Sequence, residues 1–218
     1  MAEDSYKHIA GFYDTFVAPF THALRKQYML KTYPPEKGMH VLEVGCGTGL
    51  NLRLYQKKEC KVYGIDTSGS MVKAAVRKLG EQAEIHLGDA SDMKYSDNSF
   101  DLVIAMLTLH EMQESVRQKV MGEMVRVMKT RGRLLLVDFH SGSICFPQGY
   151  LYKAIIPFFE ISAGKEHFRN YRNFLAKGGL PPLIERNNLH IEKSKILGGG
   201  NLSLFTATKI NPASPKFC

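Results

Sequence analysis

Three acidic side chains stand at equal intervals along the chain, each in or at the end of an apolar run. Glu43 lies within His40-Val-Leu-Glu-Val44, Asp66 closes Val62-Tyr-Gly-Ile-Asp66, and Asp89 closes Glu84-Ile-His-Leu-Gly-Asp89, with 23 residues from each acid to the next. Such an interval holds one strand, one helix and their turns, so its repetition predicts βαβ units. Phe100-Asp-Leu-Val-Ile-Ala-Met-Leu107 and Arg133-Leu-Leu-Leu-Val-Asp138 read as a fourth and a fifth strand, apolar enough to be buried on both faces. The segments between have helical spacing, and the first of them, over Leu50–Gln56, is expected to begin at Asn51, a good capping residue. Ser68-Gly-Ser-Met71 opens an amphipathic run through Leu79, and Val116, Val120, Met124 and Val127 share one face of a helix over 115–128, which Thr130-Arg-Gly132 is expected to stop. Alternation with short connections requires right-handed crossovers and a doubly wound, mostly parallel sheet, whose ligands bind at the carboxyl ends of the strands.

Both flanks leave this rhythm. Over residues 5–35 the apolar side chains Ile9, Phe12, Tyr13, Phe16, Val17 and Phe20 have helical spacing interrupted by Pro19, which predicts an N-terminal helical cap. Residues 141–180 are aromatic-rich and basic and predict two or three helices inserted after the fifth strand. Leu189–Leu197 and Leu202–Thr208, joined by Gly-Gly-Gly-Asn, predict an antiparallel hairpin at the sheet edge over 189–210. The expected architecture is therefore one α/β domain over 1–218, a Rossmann-like seven-stranded sheet whose ligand-binding core spans 38–140.

Composition narrows the surroundings more than the chemistry. No apolar stretch approaches the ~20 residues of a membrane span, and Met1-Ala-Glu-Asp-Ser lacks the basic start of a signal peptide, so a cytoplasmic chain is expected. Cys46, Cys60, Cys145 and Cys218 form no CxxC pair, and no metal is expected. Of the net charge of +8, residues 141–218 carry ten Lys/Arg against four Asp/Glu. That basic third suits a solvated face, an anionic acceptor or a membrane surface, while no clustered basic run or RNP-like motif points to nucleic acid.

The turn after the first strand, Gly45-Cys-Gly-Thr-Gly49, brings backbone within contact distance of a ligand. It matches neither the G-x-G-x-x-G dinucleotide spacing nor a phosphate loop ending in Gly-Lys-Ser/Thr. Glu43, two residues earlier, is costly to bury unless it holds something. An acid ending the second strand accepts from ribose hydroxyls, and Asp89 is placed to accept from an exocyclic amine. Together these residues ask for a ligand with a cationic end, a ribose and an adenine but no phosphate, a description that S-adenosylmethionine meets.

At these motifs the chain resembles the class I S-adenosylmethionine-dependent methyltransferases, in particular the group with a type 11 methyltransferase domain that contains the ubiquinone/menaquinone C-methyltransferases and bacterial phospholipid N-methyltransferases. Val41-Leu-Glu-Val-Gly-Cys-Gly-Thr-Gly49, Tyr63-Gly-Ile-Asp66 and Gly88-Asp89-Ala90 resemble its first three motifs, and Arg126–Leu135 the run into its fifth strand. The resemblance implies that Glu43, Gly45, Cys46, Gly47 and Gly49 cradle the cofactor, that Asp66 with Thr67 binds ribose, and that Met71 packs on adenine. Asp89 and Ala90 would meet the adenine edge, Leu107 would line the pocket near the transferred methyl, and Tyr13 would cover the cofactor. The product would be S-adenosylhomocysteine.

Methyl transfer is a direct displacement at an activated carbon, so alignment matters most, and a base is needed only where the acceptor must lose a proton. His110, His140, His167 and Tyr171 are the acceptor-side candidates, and a small-molecule or lipid-like acceptor is the first expectation. An RNA or protein methyltransferase is the rival, although Leu107-Thr-Leu-His110 replaces the Asn/Asp-Pro-Pro-Tyr motif such enzymes use on planar nitrogens. A non-catalytic S-adenosylmethionine-binding protein and a nicotinamide-dependent oxidoreductase are the remaining alternatives.

Overall fold

A computed structural model describes residues 24–162 and 164–210. The expected contacts of Tyr13, the rest of the cap before Leu24 and the tail after Ile210 lie outside the described residues. Seven strands form one sheet: β1 His40–Val44, β2 Lys61–Asp66, β3 Ala83–Leu87, β4 Phe100–Met106, β5 Met128–Phe139, β6 Leu189–Leu197 and β7 Leu202–Lys209. Their order is β3-β2-β1-β4-β5-β7-β6, with β1 to β5 parallel and β7 antiparallel to both β5 and β6. The predicted doubly wound sheet with a C-terminal hairpin is the observed one. The order reverses between β1 and β4, so their carboxyl ends open a crevice on one edge of the sheet.

The described helices are α1, a π-helical turn Leu24–Met29 continuing as Leu30–Thr32, then α2 Leu50–Gln56, α3 Gly69–Leu79, α4 Glu114–Val127, α5 Gln148–Ser162, α6 Lys165–Ala176 and α7 Leu180–Arg186. Ser68 caps α3 by accepting from the Met71 N–H at 3.2 Å, and Met71, Ala75 and Leu79 bury its inner stripe. One face of the sheet, through Leu42, Val44, Val103 and Leu136, packs on Val120, Met121 and Met124 of α4 with Phe174 and Ile184. The other, through Val41, Leu102, Ile104 and Val137, packs on α1 and α2 with Met29, Leu52 and Tyr55. The central strands are thus covered on both sides, as their unbroken apolar runs require.

Two local expectations are corrected. Asn51 does not cap α2, because the helix already includes it, and Gly49 occupies the cap in a left-handed conformation with φ of 75°. The segment Thr130–Gly132 does not stop α4; Val127 ends the helix and β5 starts at once. Phe100 pairs with Met128 and Leu102 with Arg133, so the extra residues are absorbed as an irregularity within the strand. Gly132 permits it, since a Cβ there would stand 2.8 Å from Met128 Cγ and 2.9 Å from the Phe100 carbonyl oxygen.

The helices after β5 are anchored to the turn that follows β4. Asn170 of α6 donates to the Glu111 carbonyl at 2.8 Å. Arg117 of α4, itself buried, donates to the carbonyls of Leu109 at 2.8 Å and Met112 at 2.7 Å, with its guanidinium over the Phe174 ring. Among the described residues no helix is long and apolar enough to cross a membrane.

Candidate active site

A cleft of ≈ 320 Å³ opens at the carboxyl ends of β1, β2 and β4. Gly45, Gly47, Asp66, Thr67, Met71, Asp89, Ala90 and Leu107 all line it. Thr108, Glu111, Met112 and Val116, none assigned to the cofactor from sequence, also belong to its wall. A smaller recess shares Gly45, Gly47, Met106 and Leu107 with this cleft and adds Glu43, Cys46, Asn51 and Arg25. Gly49 lines neither. A Cβ there would meet Leu79 Cδ1 at 2.8 Å, so this glycine serves the packing of the loop on α3.

Each wall residue is held by local structure. The Asp66 carboxylate spans the first two motifs, accepting from the Gly47 N–H at 2.8 Å and the Ser68 N–H at 2.9 Å. Gly45 has φ of 65°, and a Cβ on it would stand 2.8 Å from Thr108 Cβ. Alanine at Gly45 is therefore expected to disturb the loop and the β4 turn together, costing at least the ~1–2 kcal/mol of a left-handed residue, measurable by denaturant unfolding. Leu107 also has positive φ, 54°, pinned by its N–H to the Val137 carbonyl at 2.8 Å. Strain of this kind gathers at sites where direction matters.

Glu43 lies between Gly64 and Ile104 in the sheet and is 2% exposed. Asn51 donates to one of its oxygens and accepts from Arg25 Nε at 2.7 Å. The other oxygen, Oε2, is buried with no hydrogen-bond partner among the described residues. Burial pushes the Glu43 carboxyl up to about 8, against the opposing effects of Asn51 and Arg25.

Beyond the cleft wall three of the four acceptor-side candidates meet. His110 Nδ1 is 2.7 Å from Asp138 Oδ1, and the Asp138 carboxylate also accepts from the backbone N–H groups of Leu109, His110 and Phe139 at 3.0, 3.2 and 2.8 Å. Glu160 Oε2 is 2.7 Å from His167 Nε2 and 3.5 Å from His110 Nε2. Tyr171 meets His110 edge-on with ring centroids 6.1 Å apart. Burial opposes a charged His110, but Asp138 and Glu160 outweigh it and raise its pKa, while His110 and His167 overcome burial to lower that of Glu160. Burial pushes the Tyr171 phenol up to about 12, so it remains a donor. His140 stands apart, its main-chain N–H on the Asn201 carbonyl at 2.8 Å and its ring against Gly142, and burial lowers its pKa. None of the four side chains forms part of the cleft wall itself.

Residues 42–136 match the profile of a methyltransferase domain family. Among curated proteins, a demethylmenaquinone methyltransferase of Desulfitobacterium hafniense is 26% identical over 227 residues, covering 95% of this chain and 89% of the relative. A phosphatidylethanolamine N-methyltransferase of Cereibacter sphaeroides is 36% identical over 107 residues, 47% of this chain and 51% of the relative, so the matched stretch spans about half that protein. The crystal structure of an S-adenosylmethionine-dependent methyltransferase from Aquifex aeolicus superimposes with a TM-score of 0.64 at 21% identity, covering 91% of this chain and 97% of that one. The matched core is an S-adenosylmethionine-dependent methyltransferase domain.

The residues of this methyltransferase fit that cofactor. The orphaned Glu43 oxygen suits a cationic group, the Asp66 and Asp89 carboxylates suit hydroxyls and an amine, and the space where a Gly47 Cβ would point is open for at least 4 Å. Asn51 was missed as a site residue because its type and position suggested a cap, whereas its side chain turns back to Glu43. Arg117 was missed because one charged residue on an amphipathic helix reads as solvated.

A pH dependence follows. With a native value of about 8 against an ordinary 4.5, Glu43 of the cofactor-free methyltransferase keeps a proton between those values that the unfolded chain releases. The native state then binds more protons, and stability falls as pH rises through that window. A cofactor ammonium beside Glu43 favours the ionised form, so binding at pH 7 is expected to release up to one proton. Calorimetry in two buffers of different ionisation enthalpy reads that release, and Glu43→Gln is expected to remove it; equal release in the variant would clear Glu43 of the role.

Proposed function

We propose that this methyltransferase moves the methyl group of S-adenosylmethionine to a small, lipid-like acceptor by direct displacement, within one domain that spans the chain. The observation that carries the lipid-like reading is the outer surface of the inserted helices. Phe146, Tyr150, Leu151 and Ile161 are exposed there, Phe146 by 85%, and Lys153 of α5 and Lys165, Arg169 and Arg172 of α6 are exposed as well. Exposed apolar and basic side chains on one insertion suit the edge of an anionic membrane or micelle, where a lipid-like acceptor resides. The two curated relatives described above carry names that specify a quinone and a phospholipid as substrates.

When bound, the cofactor supplies a methyl group on a positively charged sulfur. Glu43 and the backbone of Gly45 and Gly47, with Cys46 behind them, would hold its methionine end; Asp66 and Thr67 its ribose; Met71, Asp89 and Ala90 its adenine. Leu107 shapes the passage between the two recesses. Alignment of acceptor, carbon and sulfur is the main contribution, worth up to about 7–11 kcal/mol in well-oriented systems. On the acceptor side His167 and Tyr171 would orient the nucleophile. His110, held protonated between Asp138 and Glu160, acts as a positioning residue, and His140 would stand at the rim.

The test supplies the purified chain with S-adenosylmethionine and one of two acceptors in micelles, a quinol ring with an unsubstituted carbon or an amino-headgroup phospholipid. Release of S-adenosylhomocysteine above the acceptor-free rate with either supports the reading. Methylation of RNA or protein with neither lipid accepted would replace it.

A further inference from the structure

Among the described residues His110, Glu111 and His167 each bring one potential ligand atom to a common region, all within 4.8 Å of one another. Both imidazoles are oriented through one nitrogen by a buried carboxylate, His110 Nδ1 by Asp138 and His167 Nε2 by Glu160, each at 2.7 Å. Metal-bound histidines are held in this way, the carboxylate fixing the ring and raising the basicity of the nitrogen that binds. Two imidazoles and one carboxylate suit a first-row transition cation, whereas magnesium and calcium prefer oxygen shells. Separation in sequence hides the set: His110 and Glu111 sit in the turn after β4, and His167 comes from α6, which Asn170 and Arg117 draw onto that turn.

We propose that His110, Glu111 and His167 bind a divalent cation of the zinc type, which displaces to solvent the proton that His110 Nε2 holds toward Glu160, with Asp138 and Glu160 orienting the two rings. Around such an ion, with bonds of about 2.0–2.2 Å, ligand atoms stand about 3.3 Å apart, so the donors need to close in by an ångström or so. Three protein donors leave a fourth position open. Glu111 itself lines the cofactor cleft, so the three donors stand at its edge. The proposal does not depend on the lipid-like acceptor, because metal binding and methyl transfer are read separately.

Cobalt(II) is titrated into the full chain after chelator treatment, following ligand-field absorption in the visible, and zinc is then added in competition. The expected result is one cobalt per chain, displaced by one equivalent of zinc. His167→Ala and Glu111→Gln are each expected to abolish the band and weaken zinc binding by about 100-fold or more, while His167→Ala still binds S-adenosylmethionine. Asp138→Asn is expected to weaken it by about 10–100-fold. Absence of stoichiometric cobalt binding in a chain that binds S-adenosylmethionine overturns the proposal. So does a band unchanged in both His167→Ala and Glu111→Gln, which would place the ion elsewhere.

Discussion

Asp66→Ala is expected to weaken S-adenosylmethionine binding by about 100-fold or more while leaving the chain folded. The carboxylate is partly exposed at the end of β2 and accepts from Gly47 and Ser68, so it both shapes the loop and borders the cleft. A hydrogen bond to a charged group contributes roughly 1.5–3 kcal/mol. Two ribose hydroxyls on one carboxylate therefore bring about 3 kcal/mol or more, and each 1.4 kcal/mol is about tenfold in affinity. Asp66→Asn keeps one acceptor and should lose about tenfold. Isothermal calorimetry with S-adenosylmethionine and S-adenosylhomocysteine reads both variants, and a change below about threefold in Asp66→Ala would remove Asp66 from the site.

Asp138→Ala has the largest expected effect on stability. Asp138 is 0% exposed, and its carboxylate accepts from three backbone N–H groups and the His110 ring. Alanine would orphan all four donors in the core, and breaking a buried pair by removing one partner costs about 3–5 kcal/mol. For a chain of this length that corresponds to a fall in Tm of roughly 6–20 °C. The turn carrying Thr108, His110 and Glu111 would lose its anchor, so cofactor affinity should fall as well. Denaturant unfolding within about 1 kcal/mol of the parent would mean that the network is not a brace.

The sequence made β1 to β5 and the hairpin legible for a physical reason: strands buried on both faces must be continuously apolar, and the chain alternates them with helices at a fixed interval. Gly45, Gly47, Asp66, Thr67, Met71, Asp89, Ala90 and Leu107, expected together from the strand-end acids and the family resemblance, line one cleft because the fold delivers the ends of β1 to β4 to one edge. The boundary between α4 and β5 was not, since Thr130-Arg-Gly132 has turn chemistry and only the tight approach of Gly132 to Phe100 and Met128 makes it an irregular strand. Nor could pairing of Glu160 with both His110 and His167 be read locally. It depends on how α5 and α6 return onto the β4 turn, and that is decided by Arg117 and Asn170.

Hydrogen exchange with and without saturating S-adenosylmethionine tests the location of the site most directly. Slowed exchange is expected in peptides covering 43–51, 64–72, 87–92 and 105–112, with the 189–209 hairpin unchanged. Protection confined to other segments, or none at a cofactor concentration shown to bind, would contradict a cofactor site at the carboxyl ends of β1, β2 and β4.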